Sequence, residues 1–205
     1  MKNNFDNVIF DLGGVIINLD EQLTVNAFAE LSDLTADEIR GRILQFETYK
    51  EFEKGKINDV DLRNSIRQEF QVKGNDEEFD RCFNAMLLDI PKQKLELLTN
   101  LKSTHRIYLL SNTNSIHFKR FNEIMKETVN EDRIDGFFHR AYYSHLMGMR
   151  KPDVEIFETV LLDNNLDPSK TLFIDDNEIN LEGALKVGIH THHLVQPNHL
   201  FDLFA

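Results

Sequence analysis

A chain of 205 residues with a single cysteine, Cys82, can close no internal disulfide and build no cysteine-rich zinc site. Positive charge is scarce as well: 23 lysines and arginines stand against 35 aspartates and glutamates, a formal net charge of −12. Nucleic-acid backbones and anionic membrane surfaces are recognised through positive charge, so no nucleic acid and no membrane is expected as a main partner. A local basic pocket for one small phosphate stays open. Long apolar runs are also missing. Val8 to Phe10, Val15 to Ile17 and Ala85 to Leu88 are the longest, far short of the ~20 residues a spanning helix needs. Met1 to Asp6 shows no apolar stretch behind a basic start. The expectation is a soluble protein in a reducing, cytoplasmic setting. What is present, 41% hydrophobic and 28% charged residues, suffices for a buried core, and the length suits one domain or one domain with a modest insertion.

Asn7-Val8-Ile9-Phe10 is a short apolar run ended by Asp11-Leu12-Gly13-Gly14, the pattern of a buried strand in a parallel sheet. Arg106 to Leu110, Thr171 to Ile174 and Gly188 to His192 look alike, and a weaker candidate covers Gly136 to Ala141. Helical patterns lie between them at Lys92 to Lys102, Ser115 to Met125, Asp153 to Asp163 and Glu178 to Val187. Strands alternating with helices predict right-handed βαβ units and an α/β fold with a doubly wound, mostly parallel sheet. Residues 18–90 break the alternation. Leu23 to Leu31, Ala36 to Glu47, Asp59 to Phe70 and Asp76 to Leu88 all read as amphipathic helices, with acidic first turns at Ala36-Asp37-Glu38 and Asp59-Val60-Asp61. The parse is an α/β core of residues 1–17 and 91–205 carrying an all-helical subdomain, residues 18–90.

In an open parallel sheet, ligands bind outside the carboxyl ends of the strands, at the switch in strand order. The strong strands end in Asp11, in Ser111-Asn112-Thr113 and in Asp175-Asp176-Asn177, and a further loop carries Arg150-Lys151-Pro152-Asp153 ahead of a helix. Each piece alone has an ordinary explanation. Asp11 could be a turn residue, Ser111-Asn112 a helix cap, Lys151 a solvated lysine and Asp175-Asp176 an acidic helix start. Converging on one edge, they read instead as a phosphoryl-transfer site. Asp11 and Asp176 could share Mg²⁺, a hard cation that takes oxygen ligands. Asp11 could serve as a carboxylate nucleophile, with Ser111, backbone N–H groups and Lys151 on the phosphate oxygens.

Phe10-Asp11-Leu12-Gly13-Gly14-Val15, Leu110-Ser111-Asn112-Thr113, Arg150-Lys151-Pro152-Asp153 and Phe173-Ile174-Asp175-Asp176-Asn177 occur in that order, the last continued by Asn180-Leu181-Glu182-Gly183-Ala184. In this the chain resembles the haloacid dehalogenase-like (HAD) hydrolase superfamily, with the helical insertion looking like its type 1 cap on a Rossmann-like core. The resemblance implies a Mg²⁺-dependent phosphatase of a small phosphorylated metabolite, a sugar phosphate being favoured, working through an aspartyl-phosphate. It implies Asp11 as nucleophile and metal ligand, and the Gly13 carbonyl as a further ligand. Ser111 and the Asn112 backbone would bind phosphate, Lys151 would hold nucleophile and phosphate together, and Asp176 would be the main metal carboxylate of the last motif. Asp175 and Asn180 would support it. A monomer or a homodimer is compatible with this reading.

One departure stands out. Most phosphatases of this superfamily carry an acid/base Asp two residues after the nucleophile, where this chain has Gly13. Proton transfer by such a group is worth about 10²–10⁴ in rate. Its absence implies a substitute base, an easier leaving group or weak turnover. The change also resembles a branch that includes bacterial α-glucose-1-phosphate phosphatases. Two alternatives follow: a metal-independent haloacid dehalogenase, for which Asp175-Asp176 has no evident use, and a weakly active phosphate-binding regulatory protein. The segment Glu47 to Lys56 is the part of the cap expected to face the site. His190, His192, His193 and His199 read as edge or surface residues, because strand alternation sends His192 and His193 to opposite faces. Cys82, beside Phe83 and Met86, reads as core.

Overall fold

The computed structural model describes residues 5–43 and 46–205. Five short strands form one parallel sheet: β1 (Asn7–Phe10), β2 (Arg106–Ser111), β3 (Arg140–Tyr143), β4 (Thr171–Asp175) and β5 (His190–His193), in the order β3-β2-β1-β4-β5. Five helices, α1 (Glu21–Glu30), α2 (Ala36–Ile43), α3 (Glu47–Glu53), α4 (Asp59–Phe70) and α5 (Asp76–Phe83), separate β1 from the rest of the core. The remainder are α6 (Lys92–Lys102), α7 (Ser115–Val129), α8 (Ser144–Met147), α9 (Val154–Asn164) and α10 (Glu178–Lys186).

Side-chain alternation divides the sheet's apolar residues between two layers. Val8, Phe10 and Leu109 pack with Leu95, Leu98, Phe121 and Leu200 on one face, while Ile9, Tyr108 and Phe173 pack with Phe157, Val160 and Leu181 on the other. Both faces are covered, which is why β1 reads as an unbroken apolar run rather than an alternating one. The chain builds outward from β1 through β2 to β3, then returns to place β4 on β1's other side. The switch point therefore lies between β1 and β4, and Asp11 and Asp175 stand at its carboxyl edge.

The inserted helices enclose their own apolar centre of Phe28, Phe52, Leu62, Phe70, Phe79 and Phe83, into which Ile116 of α7 also reaches. Asn58 and Asn75 cap α4 and α5, the latter in a reciprocal capping box with Glu78. Arg63 grips Asp80 with two bonds of 2.9 and 2.8 Å and joins these helices. The two chain segments that enter and leave the helical region run side by side. Leu19 bridges Leu87 in antiparallel fashion, Asn18 N–H donates to the Asp89 carbonyl and Leu88 N–H to that of Asn18.

Several element ends differ from expectation. The helix expected over 36–47 is not continuous: α2 is described over Ala36–Ile43, Phe46 is not helical and α3 starts at Glu47, with Leu44 and Gln45 outside the described residues. The helix expected to reach Leu88 ends at Phe83 and tightens into a 3-10 turn over Asn84–Met86, because Leu87 and Leu88 are taken up by the paired connecting segments. β3 starts at Arg140 rather than Gly136; Ile134–Phe137 form a 3-10 turn that buries Ile134 in the core. β5 starts at His190 rather than Gly188 and ends one residue later, at His193. Among the described residues no helix is long and apolar enough to cross a membrane.

Phe28 is 1% exposed and meets Phe79 at a ring-centroid distance of 5.2 Å. Phe28→Ala should lower the free energy of unfolding by about 3–5 kcal/mol, read by urea denaturation.

Candidate active site

The chain leaves β1 at Asp11 and turns back at once. The Leu12 carbonyl accepts from the N–H of Ile16 and Ile17, Gly14 N–H donates to the Ile17 carbonyl, and Gly14 takes a φ of +66° that favours glycine. A side chain at Gly14 would also collide with Asp176: a Cβ there would lie 2.0 Å from Oδ2. The Gly13 carbonyl accepts no hydrogen bond among the described residues. Gly13 itself has a different neighbour. A Cβ at this position would meet Leu19 Cδ1 at 2.6 Å, so Leu19 occupies the space an acid/base side chain would need.

Lys151 joins the β1 and β4 ends. Its side chain is fully buried, and Nζ donates to Asp11 Oδ1 at 2.6 Å and Asp175 Oδ2 at 2.7 Å while lying 5.2 Å from the Phe173 ring centroid. Burial works against its charge, but the two carboxylates outweigh it and hold the ammonium's pKa above its usual value. Asn112 fixes the backbone beneath: its Oδ1 accepts from Lys151 N–H and its Nδ2 donates to the Lys151 carbonyl, both at 2.9 Å. The Asn112 side chain thus positions the loop, leaving its backbone for the phosphate contact expected of it. Ser111 lies beside it, buried, with only a 3.4 Å contact from Oγ to the Asn112 carbonyl.

Asp175 and Asp176 differ sharply. Asp175 is buried and saturated, with its oxygens taken by Lys151, by Asn180 Nδ2 at 3.1 Å to each, and by Asn177 N–H at 2.8 Å. The Asp176 carboxylate lies against the Gly14 backbone with no side-chain hydrogen-bond partner among the described residues. His193 Nε2 sits 2.9 Å from the Asp176 carbonyl and steadies the loop; His190 packs against Phe5, so neither belongs to a histidine metal site.

One oxygen from each of Asp11, Asp175 and Asp176 lies within 4.8 Å of the others. Burial, with the charges of Asp175 and Asp176 added and Lys151 opposing, pushes the Asp11 carboxyl up to about 7. Desolvation and Asp175 push Asp176 up to about 6. Crowded carboxylates that resist ionisation mark a deficit of positive charge. The donors are all oxygen, a set that suits a hard divalent cation held by carboxylates and one carbonyl, and suits neither zinc nor copper.

The expected residues Asp11, Gly13, Ser111, Asn112, Lys151, Asp176 and Asn180 all line one cavity of about 280 Å³, with Asp175 directly beneath. Within Glu47 to Lys56, Tyr49 and Glu53 line it too. The sequence reading did not single out Arg150, Glu53 or His117 as individual site residues. Arg150 Nε donates to Glu53 Oε2 at 2.8 Å across the boundary between helical insertion and core. Gly55, at a φ of +65°, lets the end of α3 approach the His145 carbonyl, which a Cβ would meet at 2.2 Å. A buried carboxylate whose arginine partner lies 97 residues further along the chain has no periodic signature in the sequence.

Lys151→Met would leave Asp11 and Asp175 buried without their counter-charge. The expected loss is about 3–5 kcal/mol of stability at pH 8, measured by chemical denaturation without metal.

A family model described as haloacid dehalogenase-like hydrolase matches residues 5–188. The chain is 29% identical to a D-ribitol-5-phosphate phosphatase of Bacteroides thetaiotaomicron over 90% of its own length and 89% of that protein's. It is 30% identical to a sesquiterpene phosphatase of Aspergillus oryzae, over 95% and 92% of the two chains. A HAD-family enzyme of Bacteroides thetaiotaomicron, crystallised as a complex with magnesium and inorganic phosphate, superposes with a TM-score of 0.82 at 35% identity, covering 92% of this chain and 93% of that one. With a match across nearly its whole length, and with the four motifs gathered around Lys151, this chain belongs to the haloacid dehalogenase-like hydrolase family.

Proposed function

We propose that the protein is a Mg²⁺-dependent phosphatase of a small phosphorylated metabolite, a sugar or polyol phosphate being the favoured class. The observation that carries this reading is the Lys151 ammonium between Asp11 and Asp175, at 2.6 and 2.7 Å, with the second oxygen of Asp11 unpartnered among the described residues and turned to a polar cavity. Lys151 orients Asp11 and lowers the proton affinity that burial has raised. Asp11 then attacks phosphorus, the bond to the leaving oxygen breaks with its electron pair, and an aspartyl-phosphate forms. Water then attacks the phosphorus of this acyl phosphate, the bond to Asp11 breaks, and inorganic phosphate leaves with the carboxylate restored. Ser111 Oγ and the Asn112 N–H hold phosphate oxygens, and Lys151 faces their charge. Asp11, Asp176 and the Gly13 carbonyl would hold Mg²⁺, with Asp175 and Asn180 in support; when bound, the cation neutralises the phosphoryl group and draws it toward the carboxylates.

Residues 18–90 form the proposed cap, turning on the paired segments at Asn18–Leu19 and Leu87–Asp89 and excluding water when closed. A soluble, cytoplasmic setting is part of the same reading, supported by the lone, buried Cys82. The leaving-group side favours a second substrate class. An apolar cavity of about 690 Å³, lined by Val25, Phe28, Phe46, Phe70 and Phe83, shares Leu19, Tyr49 and Met86 with the polar one. Phosphate esters of an apolar alcohol would fill it, in keeping with the 30% identity to a sesquiterpene phosphatase.

Phosphate release from a panel of sugar, polyol and isoprenoid monophosphates, with Mg²⁺ and with EDTA, tests this. Turnover should appear only with Mg²⁺ and fall at least ~10³-fold in Asp11→Asn; metal-independent turnover would refute the reading. Metal affinity should also follow pH. Folded-state values of about 7 for Asp11 and about 6 for Asp176 exceed the ordinary 3.8, so ionising them costs the fold stability as pH climbs from about 4 through 7. A cation that binds the ionised forms recovers that loss. The Mg²⁺-induced rise in melting temperature should therefore be larger at pH 8 than at pH 5, and absent in Asp176→Asn.

A further inference from the structure

Gly13 leaves the reaction without a proton donor on the β1 loop, and Leu19 fills the space one would take. An alkoxide leaves phosphorus slowly unless it is protonated, so some other group must supply the proton. Apart from Arg150, which keeps its proton, four titratable side chains of the site cavity lie outside the roles assigned above: Glu21, Tyr49, Glu53 and His117. His117 has both ring nitrogens engaged, Nδ1 with Asn114 Nδ2 at 3.2 Å and Nε2 with the Phe83 carbonyl at 3.1 Å. As neighbours require, Nε2 carries the proton and Nδ1 accepts, and neither is left for substrate. Tyr49 is surrounded by apolar groups and by Glu53 and Glu21, which keep its phenol protonated far beyond the neutral range. Glu21 is exposed at the start of α1. Glu53 is buried, at 5% exposed, and fixed through one oxygen alone, with Oε2 held by Arg150 Nε at 2.8 Å. Its Oε1 has no hydrogen-bond partner among the described residues and belongs to a residue lining the cavity that holds Asp11 and Lys151.

We infer that Glu53, carried by the cap and aimed by Arg150, is the acid/base that replaces the missing aspartate. This rests on the phosphatase reading. In the first step Asp11 bonds to phosphorus, the phosphorus–oxygen bond of the ester breaks, and the Glu53 carboxyl gives its proton to the departing oxygen, leaving a neutral alcohol and a Glu53 carboxylate. In the second step that carboxylate takes a proton from water as its oxygen attacks phosphorus; the bond to Asp11 breaks and inorganic phosphate departs. Glu53 is then protonated again. The groups that face it are Arg150 and Lys151 from the core and Lys50 from its own helix, all favouring the ionised form, against burial, which favours the neutral one and outweighs them. Burial thus holds the Glu53 carboxyl above its ordinary value.

The test compares kcat/KM for an alkyl phosphate, the best sugar or isoprenoid ester, with that for p-nitrophenyl phosphate, whose phenolate departs without a proton. Glu53→Gln, which keeps the shape and the bond from Arg150, should lose about 10²–10⁴-fold on the alkyl ester and less than about 10-fold on the aryl ester. Equal losses on both would make Glu53 a positioning residue and overturn the proposal; so would the same selective loss in Glu21→Gln but not in Glu53→Gln. A wild type that hydrolyses neither ester would instead refute the phosphatase reading itself. If Glu53→Gln proves unstable by thermal melting, the wild-type pH profile decides. kcat/KM for the alkyl ester should fall on the alkaline side where that for the aryl ester does not, and Arg150→Gln should move that limb to higher pH. Parallel limbs for the two esters would overturn the assignment.

Discussion

Everything at the carboxyl edge of the sheet depends on one buried ammonium. Lys151 has no exposure and touches two carboxylates that belong to strands on either side of the switch point. Without it, Asp11 and Asp175 would be two like charges in a desolvated cleft, and one would take up a proton. With it, Asp175 becomes an anchor and Asp11 keeps one oxygen available. The arrangement still falls short of neutrality: three carboxylates against one lysine leave two negative charges if all ionise. Burial, with that deficit added to it, explains why Asp11 and Asp176 resist ionisation, and the deficit is why a divalent cation complements the cleft. Stability and chemistry are thus set by the same charge count.

The constraint propagates outward through backbone rather than through more charge. Asn112 spends its whole side-chain amide on the Lys151 peptide groups, and Gly14 must be a glycine both for its φ and for the closeness of Asp176. Further out, Arg150 reaches Glu53 next to the buried lysine, and Lys54 meets Asp153 at 3.2 Å. The end of α3 therefore docks on the very loop that carries Lys151. A cap joined to the core only by its two connecting segments could sit at many angles. These contacts select one.

The sheet and the site were legible in the sequence to an unusual degree, and the reason is local. Asn7 to Phe10 is apolar because both faces are covered, and polar residues begin at the strand ends because that is where the cleft opens. What the sequence did not mark are choices made by tertiary contact. The stop of α5 at Phe83 comes from the need of the chain to return beside Leu19. β3 begins later than expected because Gly136 and Phe137 lie in a 3-10 turn and Phe138, apolar enough for a strand, is buried in the core ahead of it. Adjacency alone does not distinguish Asp175 from Asp176, and only the family resemblance ranked Asp176 first; in the fold, Lys151 and Asn180 make Asp175 saturated and leave Asp176 available.

Placing the proton donor on the cap has a consequence that a donor on the β1 loop would not have. A loop aspartate is present whether the cap is open or shut, so water admitted to an open cleft could be activated against the aspartyl-phosphate, or the ester protonated in bulk solvent. On the proposal that Glu53 is the acid/base, it is in place only while α3 rests on the Arg150 loop. Its acid and base functions then exist only in the closed state, where the leaving group has already been selected and bulk water excluded. The Leu19 side chain beside Gly13 fits the same logic, since it belongs to the connecting segment and fills with apolar volume the place where a permanent acid would stand. Substitution of a glycine for the usual aspartate is on this view a transfer of proton chemistry to the moving part, which ties turnover to closure at the cost of losing it whenever the cap is not seated.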